Sequence, residues 1–162
     1  MWWLAGCAPF ANPTPVDSAA PTDEATWDTR AADVRIARED APADARLGAA
    51  LAALDTDGDG VDELVVAASR DSSRADREGL LWVRSGPALG EARVVRPAEA
   101  VVARRLGDSL EAVGDVDGDG YADLAAGAPG EVGGPAGAGS VLLFHGGPSG
   151  LNRNAATALR SS

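Results

Sequence analysis

The sequence has little of the chemistry on which most enzymes and zinc proteins depend. Its 162 residues include one cysteine and one histidine, which excludes an intramolecular disulfide and a zinc site built from several histidines. No apolar run reaches the roughly 18 residues of a membrane-spanning helix. Basic residues number 14 against 25 acidic ones, which argues against nucleic acid as the main partner. The motifs Gly-x-Ser-x-Gly and the phosphate-binding loop are missing, so we predict no catalytic residues.

The acidic residues are concentrated in two short segments. Residues 55–63 and 115–123 carry nine of the 25 acids, and the rest of the chain has 16 acids against 14 bases, a net charge of −2. A generally acidic surface would not show this distribution. Because clustered carboxylates repel one another, such segments usually hold a hard cation.

Both segments follow the pattern Asp-x-Asp-x-Asp-Gly-x-x-acid. Carboxylates at positions 1, 3, 5 and 9 can converge, the glycine at position 6 permits a sharp turn, and the carbonyl at position 7 adds an oxygen. The predicted ligands are Asp55, Asp57, Asp59, the carbonyl of Val61 and Glu63 in the first loop, and Asp115, Asp117, Asp119, the carbonyl of Tyr121 and Asp123 in the second. Five hard oxygens favour Ca²⁺ over Mg²⁺, so two calcium sites are predicted. The alternative is a pair of solvated Asp-Gly turns without metal.

An EF-hand does not fit these loops, because its position 12 requires an acid and here holds Val66 or Ala126. Asp62 is left outside the first ligand set, since its counterpart in the second loop is Ala122. His145 is interpreted as a solvent-facing or packing residue at a strand end.

The body of the chain is an internal repeat. Arg46-Leu47-Gly48 recurs 59 residues later and the acidic loop recurs 60 residues later. Short apolar runs bounded by Gly, Pro and Asp follow each loop, and these runs predict strands. Each unit is predicted to form about four short antiparallel strands, with Trp82 and Phe144 at equivalent core positions. The fold class is therefore all-β, with two sheets stacked as β-propeller blades.

At this point the sequence resembles a known family. The segment 106–129, with its continuation 139–151, resembles an FG-GAP repeat, the blade unit of integrin α-subunit propellers. In the first copy Leu47-Gly48 opens the unit and Ala67-Ala68-Ser69 replaces Gly-Ala-Pro. The resemblance implies a partial β-propeller, Ca²⁺ in hairpin loops at one rim, and a role in adhesion or macromolecular binding. The predicted boundaries are 33–96 for the first repeat and 97–162 for the second with the start of a truncated next unit.

The amino-terminal residues resemble a bacterial lipoprotein signal. Leu4-Ala5-Gly6-Cys7 matches a lipobox, so residues 1–7 are interpreted as a signal remnant and Cys7 as the lipidation site. Residues 8–32 are rich in Pro and Ala and predict an extended tether. Because only three residues precede the lipobox and a signal needs a longer apolar stretch, we expect the true start to lie upstream. The expected location is the bacterial cell envelope, lipid-anchored, at the outer surface or facing the periplasm.

These features favour a calcium-binding surface lipoprotein that acts as an adhesion or macromolecular-binding module. The expected ligand is an extracellular protein or polysaccharide, and the expected membrane contact is through the lipid anchor only. Two alternatives stay open, namely an accessory propeller fragment of a larger secreted enzyme and a purely structural calcium-stabilised fragment. Two blades leave apolar faces uncovered, which is consistent with truncation at both ends or with self-assembly of blades between chains.

Overall fold

A computed structural model describes residue 39 and residues 41–86, 89–131, 138–153 and 157–159. All of these residues fall in one compact unit, residues 38–162. The predicted signal remnant, the tether and Cys7 lie outside the described residues.

The described chain forms two four-stranded antiparallel sheets. The first sheet has the order β1-β2-β3-β4 and the second has the order β5-β6-β7-β8. The strands are β1 Leu47–Leu54, β2 Glu63–Ala68, β3 Leu80–Ser85, β4 Glu91–Val95, β5 Leu110–Gly114, β6 Asp123–Ala128, β7 Ser140–Phe144 and β8 Thr157–Leu159. The all-β prediction, with two sheets of four short strands as in propeller blades, is confirmed. Among the described residues, none belongs to a helix with the length and hydropathy needed to cross a bilayer.

The two sheets share one register. Leu64 pairs with Arg84 and Ala68 with Leu80 in the first sheet, and Leu124 pairs with Phe144 and Ala128 with Ser140 in the second. Every partner is displaced by 60 residues, so the repeat in the sequence is a repeat of strand pairing. The predicted equivalence of Trp82 and Phe144 is wrong. Phe144 occupies the position of Arg84, and Leu142 occupies that of Trp82.

This difference has a packing cause. Strand residues two apart share a face, and in the first sheet the Arg84 guanidinium lies 4.9 Å from the centre of the Trp82 ring. In the second sheet Leu142 and Phe144 share the corresponding face and are both buried in the core. An aromatic residue therefore appears at different points of the two third strands, and matching the sequence by aromatic identity shifted the alignment by two residues.

The main core lies between the sheets. One face of the first sheet contributes Val65, Ala67, Leu81 and Val83, and the second sheet contributes residues that include Leu124 and Phe144. Strands β1 and β5, which lead into the acidic loops, contact each other. Burial of apolar area at this interface stabilises both sheets at once, at roughly 25 cal/mol per Å².

The connection that enters the second repeat runs along the first. The backbone N–H of Arg105 donates to the carbonyl of Arg77 at 3.0 Å, and that of Leu106 donates to Glu78 at 2.9 Å. Arg104, only 4% exposed, forms an ion pair with Glu131 and lies 4.0 Å from the buried Glu78. A buried guanidinium needs such partners, because an unpaired buried charge is costly. The two repeats are thus joined by backbone bonds and paired charges as well as by the core.

Candidate metal centre

The acidic loops are the hairpin connections between the first two strands of each sheet. β1 ends at Leu54 and β2 begins at Glu63, while β5 ends at Gly114 and β6 begins at Asp123. Gly60 and Gly120, at position 6, have φ of +86° and +94°, a region that residues with a Cβ rarely adopt. Both loops consequently reverse at the position where the pattern demanded glycine.

Backbone amides organise the first loop around its own carboxylates. Asp55 Oδ1 accepts from Gly58 N–H at 2.7 Å and Oδ2 accepts from Gly60 N–H at 2.9 Å. Oδ1 of Asp57 and Oδ1 of Asp59 accept from the amides two residues onward, at 3.2 and 2.7 Å. The carboxylate at position 1 therefore shapes the turn, while those at positions 3 and 5 use only Oδ1 in these bonds.

The second loop repeats this network. Asp115 Oδ1 accepts from Gly118 and Asp119 at 2.7 and 3.0 Å, and Oδ2 accepts from Gly120 at 2.9 Å. Asp117 and Asp119 again accept through Oδ1 from the amides two residues onward. The loop fold is thus set by local side-chain-to-backbone bonds, which explains why two separate copies adopt the same shape.

The acid at position 9 is the first residue of the return strand and is buried in both copies. Glu63 is 4% exposed and Asp123 is 0% exposed. Glu63 Oε2 accepts from the Thr56 amide at 2.9 Å and from Thr56 Oγ1 at 2.6 Å. Asp123 Oδ2 accepts from the Val116 amide at 2.9 Å, and its Oδ1 accepts from the Gly146 amide at 2.9 Å. These bonds satisfy carboxylates that could not otherwise be buried.

The predicted ligands converge in part. Oxygens of Asp55, Asp57 and Glu63 lie within 4.8 Å of one another in the first loop, and oxygens of Asp115, Asp117 and Asp119 do so in the second. Asp59 stays outside the first group, and Asp123 forms a separate group with Asp117 and His145. Val61 and Tyr121 close the loops, donating their amides to Asp59 and Asp119. Their carbonyls remain predicted ligands. These oxygen-rich groups fit a hard cation, and they could hold a metal ion.

One residue beside the second loop was missed by the sequence analysis. His145 directly follows β7, and its Nδ1 lies 3.1 Å from Asp117 Oδ2 and 3.4 Å from Asp123 Oδ2. The interpretation as a solvent-facing or packing residue overlooked this proximity. The signal that could have found it is the register, because the strand after each loop's return strand ends beside that loop.

The first loop has a cation in its surroundings instead. The carboxylates of Glu63 and Asp57 act on the pKa of Arg93 and raise it, but burial, the largest cause, and Arg153 lower the pKa of this guanidinium below its ordinary value. Arg93 also donates through Nη1 to the carbonyl of Ser149. A residue of β4 thus lies near the first loop and reaches the second repeat.

The two loops touch at one end of the sheets. The amide of Ala122 donates to the carbonyl of Asp55 at 3.2 Å, and the amide of Gly147 donates to the carbonyl of Thr56 at 2.9 Å. A Cβ placed on Gly58 would lie 3.1 Å from the Tyr121 ring. The acidic loops therefore form one continuous rim, as expected for adjacent blades.

Comparison with known proteins assigns the repeated unit. The model of the FG-GAP repeat family matches residues 47–83 and 109–144, the spans that begin in β1 and end in β3, and begin before β5 and end with β7. The two sheets are FG-GAP repeats. The chain is 36% identical to integrin alpha-PS2 of Drosophila melanogaster over 112 residues, 64% of this chain. It is also 36% identical to integrin alpha-IIb of Homo sapiens over 123 residues, 70% of this chain, and 32% identical to integrin alpha-4 of Xenopus laevis over 119 residues, 71% of this chain.

These relatives define the kind of module. The FG-GAP chain covers 8%, 12% and 11% of the length of the three integrin subunits, so it corresponds to a small part of each. FG-GAP repeats of the integrin α type are modules of a general adhesion or binding kind and are non-enzymatic.

Proposed function

We propose that both acidic loops bind Ca²⁺ and that the ion stabilises a surface binding module. The observation that carries this proposal is the convergence of three carboxylates within 4.8 Å in each loop, in two hairpins with the same backbone bonds. Several anionic oxygens on a flexible loop suit Ca²⁺, which accepts six to eight oxygens, better than Mg²⁺, which requires a small octahedron.

Calcium would act on folding. With no cation bound, the convergent carboxylates repel one another, and the hairpin end of each sheet is weakened. Affinities in the range of extracellular modules, about 10⁻⁴–10⁻³ M, are expected. At about 100-fold excess over the dissociation constant, each site would add about 2.7 kcal/mol to the free energy of unfolding.

The module is proposed to act in adhesion or macromolecular binding at a bacterial cell envelope, anchored through a lipid on Cys7. The integrin-like repeats support the binding role, and the lipobox-like Leu4–Cys7 supports the location. The partner is an extracellular protein or polysaccharide. Membrane fractionation of the producing cell tests the anchor, and Cys7→Ser should move the protein out of the membrane fraction. A saturable ligand recovered from surface or matrix material would support the binding role, whereas its absence would favour purely structural calcium.

A matched pair of substitutions tests the calcium sites. Asp57→Ala removes a convergent carboxylate, and Asp62→Ala removes an exposed charge of the same loop that has no counterpart at Ala122. Both variants change the net charge equally, so they separate coordination from general electrostatics. Calorimetric titration with Ca²⁺ should show one site lost in Asp57→Ala and both sites retained in Asp62→Ala. Equal stoichiometry in the two variants would contradict the assigned ligands.

A further inference from the structure

The second loop contains a nitrogen donor that the first loop lacks. His145 Nδ1 is shielded from solvent and receives no hydrogen bond of good geometry among the described residues, although two carboxylate oxygens lie 3.1 and 3.4 Å away. Asp123 is fully buried, and the His145 side chain is 21% exposed. A lone pair facing two carboxylates would be repelled, so this arrangement favours a positive charge between the three groups.

The spacing of the three donors matches a small coordination shell. Bonds of 2.0–2.2 Å, as made by Zn²⁺ to imidazole and carboxylate, place neighbouring ligand atoms about 3.0 to 3.4 Å apart in octahedral or tetrahedral shells. The two measured separations from His145 Nδ1 fall in this range, and one donor atom from each of Asp117, Asp123 and His145 lies within 4.8 Å of the others. Both oxygens of Asp123 accept backbone bonds, which orient the carboxylate as second-shell partners orient metal ligands.

The first repeat provides an internal comparison. Strand register places Ser85 at the position of His145, since Leu64 pairs with Arg84 and Leu124 with Phe144. Ser85 lies with Asp57 and Glu63 around a small polar cavity, and a hydroxyl is a hard oxygen donor. The two loops therefore share carboxylates and differ in the donor supplied by the end of the third strand.

We propose that the second loop is a site for a first-row divalent transition metal of the Zn²⁺ class, held by His145 Nδ1, Asp117 and Asp123, whereas the first loop is restricted to hard cations. Imidazole selects such metals over Ca²⁺ and Mg²⁺. The inference rests on the proposed function in one respect, because Asp117 and Asp123 are also the proposed calcium ligands and the two ions compete for them. The second loop would then respond to two kinds of metal and the first loop to one.

The test uses the full, untagged chain carrying Cys7→Ser, so that the thiol cannot bind zinc. His145 is the only histidine, and its imidazole signals in a nuclear magnetic resonance spectrum are therefore unambiguous. Titration with Zn²⁺ should shift the imidazole ¹⁵N signal of Nδ1 with a stoichiometry of one, and Ca²⁺ in excess should reverse the shift. Imidazole signals that do not respond to Zn²⁺ would overturn the proposal without any variant that could fail to fold.

The matched variant is His145→Ser, which copies the residue of the first repeat. It should lower Zn²⁺ affinity by about tenfold or more, because even second-shell changes have effects of that size, and should leave Ca²⁺ stoichiometry at the wild-type value. Wild-type Zn²⁺ affinity in His145→Ser would overturn the inference. A chain that binds no Ca²⁺ at either loop, yet shows the Zn²⁺ shift at His145, would contradict the calcium proposal and support this one.

Discussion

At the scale of single residues, the buried acid at position 9 is satisfied differently in the two loops. Glu63 receives two bonds from Thr56, one from the amide and one from the hydroxyl. Its counterpart Asp123 is shorter and receives amide bonds from Val116 and Gly146. The longer glutamate reaches a buried hydroxyl, whereas the shorter aspartate is held by backbone alone. The residue two positions along each loop is accordingly a buried Thr56 in one copy and an exposed Val116 in the other.

Thr56→Val, which introduces the residue of the second loop, should therefore destabilise the protein. Thr56 is 0% exposed, and valine keeps its shape while removing the hydroxyl that donates to Glu63. A lost bond to a buried charged group costs about 1–3 kcal/mol. Urea unfolding in the presence of a chelator measures the effect apart from metal binding. Val116→Ala is the control and should stay within about 0.5 kcal/mol, as exposed sites do. A Thr56→Val protein as stable as wild type would show that the hydroxyl contributes nothing.

The residues that the sequence predicted well are those whose roles are local. The Asp and Gly positions of each loop are fixed by hydrogen bonds that span two to five residues, such as Asp55 to Gly60. His145 was missed because its proximity to Asp123 depends on strand pairing between residues 22 positions apart. Arg93 belongs to the same class, since β4 must fold back along β3 to bring it near Glu63. Periodicity and spacing carry no direct information about such side-chain contacts.

At the scale of strands, the interface between the two sheets depends on a glycine that the repeat placed at its start. Gly107 follows Leu106, which is fully buried, and its amide donates to the carbonyl of Gly127 at 2.9 Å. A Cβ at Gly107 would lie 2.6 Å from Ala67 Cβ and 3.1 Å from Leu81 Cδ2. The equivalent Gly48 would meet nothing within 4 Å. The same motif thus has a packing role in one copy only.

Substitution of these two glycines by alanine separates backbone strain from packing. Gly107 and Gly48 have φ of +84° and +85°, so each change should cost about 1–2 kcal/mol for the left-handed conformation. Gly107→Ala should cost about 1–3 kcal/mol more, because the added methyl overpacks the contact with β2 and β3. Thermal unfolding of the two variants in parallel measures the difference. Equal losses would show that the sheets separate slightly at no cost, and the packing argument would then be wrong.

The strands themselves were predicted more reliably than their mutual positions. The runs after each loop became β2 and β6, because short apolar stretches between Asp and Gly turns have few other ways to be buried. The alignment of Trp82 with Phe144 failed because it relied on residue type, whereas the sheets are related by register. The packing of β1 against β5 followed from the blade interpretation only in outline. Its individual contacts depend on which side chains face across the interface.

At the scale of the whole described molecule, the two metal loops lie side by side and share backbone bonds. Ala122 and Gly147, on either side of the second site, donate to carbonyls of Asp55 and Thr56 in the first loop. Asp55 is a proposed ligand, and Gly147 lies two residues after His145. Ordering of one loop should therefore order part of the other. A rim built in this way links each cation site to the next blade.

Calcium binding at the two loops should consequently be coupled. Asp57→Ala, which disables the first loop, should weaken Ca²⁺ binding at the second by about fivefold or more, a typical coupling between sites. Asp117→Ala should weaken the first site by the same factor, because thermodynamic coupling is reciprocal. The amide signals of Gly60 and Gly120 report the loops separately during a titration, and Asp62→Ala provides the charge control. If the remaining loop in each variant bound Ca²⁺ with wild-type affinity, the bonds from Ala122 and Gly147 would hold the blades together without transmitting the state of either site.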